Sequence, residues 1–154
     1  MLKIKVIATG AERDKNIKAL ASEFVKRTGR WAKVEIIFVP EFAPQNQNAI
    51  AASVKRESEA QLKNIEGFVF ALDSHGEQLK SEEFASKIDK ISQSFSTITF
   101  IIGGSCGLDN SVKTRADALL SFGKMTLPHE LARLVLVEQV YRAFTILSNL
   151  PYHK

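Results

Sequence analysis

This chain has very little that could bind a metal or close a disulfide. It has one cysteine, Cys106, so no internal disulfide can form. A reducing, cytoplasmic location is the default expectation for such a composition. His75, His129 and His153 are scattered and keep no ligand spacing with Cys106, so no metal is expected. No run approaches the roughly 18 uninterrupted apolar residues of a membrane span. Met1-Leu2-Lys3-Ile4-Lys5 alternates like a strand and lacks a signal-peptide core, so no membrane partner is expected either. The chain holds only four prolines (Pro40, Pro44, Pro128 and Pro151), and all fall in expected loops or the tail. Repeats, low-complexity tracts and linkers are absent. With 45% hydrophobic and 25% charged residues over 154 positions, one packed domain over 1–154 is expected.

Charge is unevenly spread. Residues 1–33 carry nine Lys/Arg against three Asp/Glu, while the whole chain is only +4, so the remainder is slightly acidic. A basic N-terminal region suits a polyanion such as nucleic acid, and equally suits a solvated helix face.

Four short runs rich in Ile, Val and Phe read as strands: Leu2–Ala8, Val34–Val39, Phe68–Leu72 and Thr97–Ile102. The last two are nearly continuous, as for strands buried on both faces. A fifth short strand is expected at Ala118–Phe122. Helical spacing intervenes at Ile17/Leu20/Ala21/Phe24/Val25, at Ile50/Val54/Gln61/Leu62/Ile65 and at Phe84/Ile88/Ile91/Phe95. Strands alternating with helices imply an α/β fold with a mostly parallel sheet flanked by helices. The final helix, about His129 to Ser148, is apolar nearly all round. It therefore needs burial on more than one side and invites a second copy of the chain.

In a parallel α/β sheet, ligands collect beyond the C-terminal strand ends. Two loops are expected there: Asp73-Ser74-His75-Gly76 and Gly103-Gly104-Ser105-Cys106-Gly107. Paired glycines permit close backbone approach by a ligand, or simply a tight turn. The spacing is not G-x-G-x-x-G and follows the fourth strand, which argues against a dinucleotide site. A third segment, Thr126-Leu127-Pro128-His129-Glu130, offers either a fixed array of backbone groups or a plain helix start. Arg133 lies one turn beyond His129 among leucines and valines, so its guanidinium must find a partner. Arg142 has a routine helix partner in Glu138. Cys106 has no base near it in sequence, and His75 is expected to be a bystander.

The segments Phe100–Leu108, Lys124–His129, Val137–Ala143 and Pro151-Tyr152-His153-Lys154 together resemble the RlmH family. These are small SPOUT-superfamily methyltransferases acting on a pseudouridine of 23S ribosomal RNA, at position 1915. The resemblance runs the length of the chain and is tightest over 100–154. It implies an α/β fold with a C-terminal trefoil knot, S-adenosylmethionine as cofactor, a homodimer, and the ribosome as partner. It places cofactor contacts on Leu72, Gly104, Gly123, Lys124, Met125, Thr126, Leu127 and Pro128. Catalytic roles fall on His129, Arg133, Tyr152 and His153, with Tyr141, Arg142 and Lys154 on the substrate side. The expected reaction is methylation of pseudouridine N3. Two other classes fit the bare pattern: a non-catalytic α/β nucleotide-binding module, and a ribosome-binding factor without activity.

Overall fold

The computed structural model describes all 154 residues. Five strands, β1 (Leu2–Thr9), β2 (Ala32–Val39), β3 (Phe68–Gln78), β4 (Thr97–Ile102) and β5 (Ala118–Ser121), form one sheet in the order β2-β1-β4-β3-β5. Every strand pair is parallel. The helices are α1 (Lys15–Thr28), α2 (Ile50–Lys63), α3 (Ser81–Ser92), α4 (Asn110–Arg115) and α5 (His129–Leu147). A short 3-10 turn, Gln47–Ala49, leads into α2.

The two faces of the sheet are covered separately. Alternation along each strand sends Ile4, Val6, Phe70, Phe100 and Ile102 to one face, where they meet Phe84 and Ile88 of α3 and Leu136, Val140 and Phe144 of α5. Ile7, Val69, Ala71 and Ile101 point the other way, onto Leu108 and Val112 and the flank of α2. Phe70 and Phe100 stack with centroids 5.0 Å apart. All six residues of β4 are buried. Helix α5 packs between α1 and α3, so much of its all-round apolar surface is consumed within one chain. Leu131 and Leu147 remain exposed on it, joined by Leu20 of α1.

Two local expectations change and one short helix is added. Asp73-Ser74-His75-Gly76 is not a free loop. It lies inside β3, which continues to Gln78 across a register shift against β5 between Leu72 and Glu77. Lys113 holds Asp73 at 2.7 Å, and the Ser121 hydroxyl reaches the Ser74 carbonyl, which keeps this stretch against its neighbour. Helix α4 has a single buried residue, Val112, too little for a visible period, and Asp109 caps it by accepting the Ser111 N–H. Strand β5 stops at Ser121 because the Ser121 hydroxyl accepts the Gly123 N–H and the chain turns.

A buried polar layer lies under the strand ends. Gln61 donates to the Thr9 hydroxyl at 2.8 Å, and Glu57, 2% exposed, accepts the Phe42 N–H at 2.9 Å. The second Glu57 oxygen has no partner. Burial pushes the Glu57 carboxyl above its ordinary range, opposed by the Phe42 N–H and assisted by the neighbouring Glu41 charge. A group whose pKa is raised by folding binds its proton more tightly in the native state. Its contribution to stability is therefore greatest at low pH and is lost as pH rises through the native value. Glu57→Gln removes the buried charge. The variant should unfold at higher urea than the native chain at pH 7, and that advantage should shrink by pH 5. An advantage of equal size at both pH values would contradict this account.

Candidate functional site

Because all five strands run the same way, the Leu72–His75 stretch of β3 and the segments following β4 and β5 come together around a cavity of about 720 Å³. That volume lies within the usual range for small-molecule sites. Leu72, Gly104, Gly123, Met125, Thr126, Leu127 and Pro128 all line it, as does His129. Lys124, expected beside them, does not. The Phe122–Pro128 segment enters through Gly123, whose φ of 129° is open to glycine and strained for other residues. Met125 in this segment is 88% exposed.

Two charged features of the site have no counterpart in the sequence motifs. The first is the Asp73–Lys113 pair in the cavity wall. Lys113, with the His75 N–H adding, holds the Asp73 carboxyl below its usual range against the opposing effect of burial. The second is Glu41, in the loop after β2. Its Oε1 accepts both the backbone N–H and the hydroxyl of Ser105, each at 2.8 Å. Burial alone would raise this carboxyl, but the two Ser105 bonds outweigh it, helped by the charges of His129 and Arg13, and the net shift is downward. A Cβ on Gly104 would stand 2.6 Å from Glu41 Oε1, so a side chain there would also disturb this contact. A Cβ on Gly10 would likewise meet both the Glu41 carboxylate and the His129 ring at 3.0 Å. Glu41, Ser105, Gly10 and His129 therefore form one packed corner at the cavity. Sequence spacing could not reveal it, since Glu41 and Ser105 lie 64 positions apart.

Helix α5 begins at this corner. Pro128 precedes it in extended geometry, and Glu130 in its first turn accepts the N–H groups of Arg13 and Asp14 at 2.6 and 3.1 Å. The starts of α1 and α5 are tied together in this way. Arg133 does find the partner its surroundings demand, but not in the cavity. It is 2% exposed, 3.6 Å from Glu12 and over the Phe38 ring at 5.1 Å. Its Nε and one terminal nitrogen have no hydrogen-bond partner.

The expected tail residues lie elsewhere. Tyr152 donates to Glu138 at 3.0 Å and packs edge-on against Tyr141, with Arg142 over its ring. His153 contacts Arg142 at 3.2 Å and Glu82 at 2.8 Å. Burial, then the Glu138 bond, pushes the Tyr152 hydroxyl upward. The tail is thus docked rather than frayed, while Lys154 is exposed. Arg142 lies 13 residues beyond His129, about 20 Å along the helix at 1.5 Å per residue. Within one chain the tail cluster and the cavity do not meet. Cys106 lines the cavity beside Ser105, and His75 is bound to Asp73 and otherwise exposed. No three His, Cys, Asp or Glu side chains are grouped to hold a metal, and no helix is long and apolar enough to cross a membrane.

Comparison with known proteins places this arrangement. A family model described as a predicted SPOUT methyltransferase matches residues 2–153. The chain is similar to "Ribosomal RNA large subunit methyltransferase H" of Limosilactobacillus reuteri (strain DSM 20016), 48% identical over 99% of this chain and all of that one. The protein of the same name from Streptococcus suis is 43% identical over the same shares. Among solved structures, a probable methylase family protein from Haemophilus influenzae aligns with TM-score 0.59 and 15% identity over 99% of this chain and 70% of its own. With a match of this length and relatives of this identity, the chain belongs to the SPOUT methyltransferase family, whose methyl donor is S-adenosylmethionine.

Proposed function

We propose that this protein is an S-adenosylmethionine-dependent ribosomal RNA methyltransferase that methylates N3 of a pseudouridine in 23S rRNA. One observation carries the reading furthest: the three segments that the sequence assigns to the cofactor line one cavity of suitable size. Leu72, Gly104, Gly123, Met125, Thr126, Leu127 and Pro128 would hold the cofactor, with the exposed Lys124 closing on it from outside. The cofactor supplies an electrophilic methyl group, so the protein's task is to position N3 in line with it. N3 of the base must also lose a proton. His129, at the cavity and beside the Glu41 carboxylate, handles that proton. Arg133 acts through its field: it is one turn behind His129, buried, and incompletely neutralised by Glu12. It adds to the positive end of the α5 dipole, where the imide anion would form.

The tail completes the site from a second subunit. Tyr152, His153, Lys154, Tyr141 and Arg142 lie too far along α5 to reach the cavity of their own chain. A homodimer burying Leu20, Leu131 and the half-exposed flank of α5 would bring them to the partner's cavity. The trefoil knot and cytoplasmic ribosomes as the site of action complete the proposal. A nucleotide-binding module without activity remains the outcome if the cofactor does not bind.

Gly104→Val should weaken S-adenosylhomocysteine binding at least tenfold, about 1.4 kcal/mol, in titration calorimetry. The Gly104→Val/Glu41→Ala double variant should keep most of that loss. Recovery of affinity in the double variant would mean that Gly104 serves only to seat Glu41. Arg133→Met should fold with stability within about 1 kcal/mol of the native chain, since a buried, poorly paired ion is replaced by an apolar side chain. Its ribosome methylation rate should drop by about a hundredfold at unchanged S-adenosylhomocysteine affinity. A fully active Arg133→Met enzyme would remove the guanidinium from the mechanism. Deleting residues 152–154 should leave cofactor binding intact and abolish methylation, and sedimentation should give about twice the 17.1 kDa chain mass. Full activity of the truncated chain, or a monomer at micromolar concentration, would overturn the shared site.

A further inference from the structure

The basic excess of residues 1–33 is unexplained by the cavity, the tail or the sheet. Lys3 pairs with Glu35 and Glu66, Lys5 with Glu66, and Arg27 with Glu23. Arg13, Lys15, Lys18, Lys26, Arg30 and Lys33 make no ion pair, and all six are exposed. Lys15, Lys18, Ser22 and Lys26 recur at three- and four-residue steps, so they form one stripe along α1, opposite Ile17, Ala21, Phe24 and Thr28.

The acids that could neutralise this stripe are already engaged. Asp14 caps α1 by accepting the N–H groups of Asn16 and Ile17. Glu23 is held by Arg27 at 2.7 Å, Glu12 faces Arg133, and Glu130 is bonded to the backbone of Arg13 and Asp14. A helix face kept only for solvation normally intersperses both signs; this one does not. The stripe is also continuous with the site. Arg13 and Asp14, just before its first lysine, are tied through Glu130 to the start of α5, next to His129, and the charge of Arg13 acts on Glu41. From there, fourteen residues of helix carry it about 21 Å outward.

We propose that the outer face of α1 is a track for ribosomal RNA backbone, gripping successive phosphates with Lys15, Lys18 and Lys26, between Arg13 at the cavity end and Arg30 at the far end. This assigns the α1 face to the substrate of the reading above and rests on it for the identity of the RNA. The contacts are to phosphate, so they supply affinity and register rather than base selection. Ribosome recognition then divides between a sequence-blind track on α1 and the base-reading cavity.

The test uses the full chain and ribosomes purified from a strain lacking the methyltransferase. Binding is measured by co-sedimentation across a salt series, with S-adenosylhomocysteine affinity and methylation measured separately. The triple variant Lys15→Gln/Lys18→Gln/Lys26→Gln should bind ribosomes at least tenfold more weakly at moderate salt. The slope of log K against log salt should fall in magnitude by about 2, near 0.7 per lost phosphate contact. Its S-adenosylhomocysteine affinity should be unchanged. The control Lys55→Gln/Lys63→Gln/Lys90→Gln makes the same charge change on α2 and α3 and should leave both affinity and slope unaltered. Equal losses in the two variants would reduce the effect to net charge and overturn the track. Native affinity and slope in the α1 variant, or no ribosome binding by the native chain, would overturn it as well. Lysine-dependent binding without any methylation would keep the track and defeat the enzyme reading instead.

Discussion

Six consecutive buried side chains in β4 have to be covered on both faces and both edges, and the chain meets that demand by placing β1 and β3 parallel on either side. Parallel pairing requires a crossover between each pair of strands, so helices necessarily coat both faces. It also sends every strand's C-terminal end to the same edge. The cavity follows from this, lying between the Leu72–His75 stretch of β3 and the segments after β4 and β5. The core makes this arrangement stiff through the Phe70–Phe100 stack and the aliphatic layers around it. A site formed by loops can then be held by a scaffold that does not move with them.

Charge at that edge is organised by a few buried or half-buried contacts. Glu41 reaches from β2's loop to the Ser105 N–H, and both Gly10 and Gly104 lack side chains where it passes. Glu130 binds the start of α1 to the start of α5. Arg133, behind them, is left with two unpaired donors, a cost that packing alone does not explain. The α5 N-terminus thus brings Arg133 and His129 together with the carboxylates of Glu12, Glu41 and Glu130. The acidic counterparts are each committed to a specific N–H or cation.

Much of this was legible in the sequence because it depends on local patterns. The Ile/Val-rich runs locate β1, β2 and β4 to within two residues and the start of β3, and the resemblance over 100–154 singles out segments that line the cavity. Other parts were hidden for physical reasons. The extension of β3 through Asp73–Gly76 depends on Lys113 and Ser121, partners some 40 positions away. Helix α4 is six residues with one buried side chain, too short to show a period. Glu41 looks like an ordinary loop acid until Ser105 is placed against it. The glycines at 103 and 104 suggested a ligand approach; the steric demands inside the chain, Gly107 backbone against the first and Glu41 against the second, could not be read from the sequence. The distance between the tail cluster and the cavity could not be read from motif order at all.

The central claim is that this cavity transfers a methyl group to one base of ribosomal RNA, and nucleoside mapping tests it most directly. Ribosomes lacking the modification would be incubated with the protein and S-adenosylmethionine, and the 23S rRNA digested and analysed by mass spectrometry. The account predicts one added methyl group per ribosome, on N3 of a single pseudouridine. Absence of methyl incorporation, or a methyl group on a different base, would contradict it.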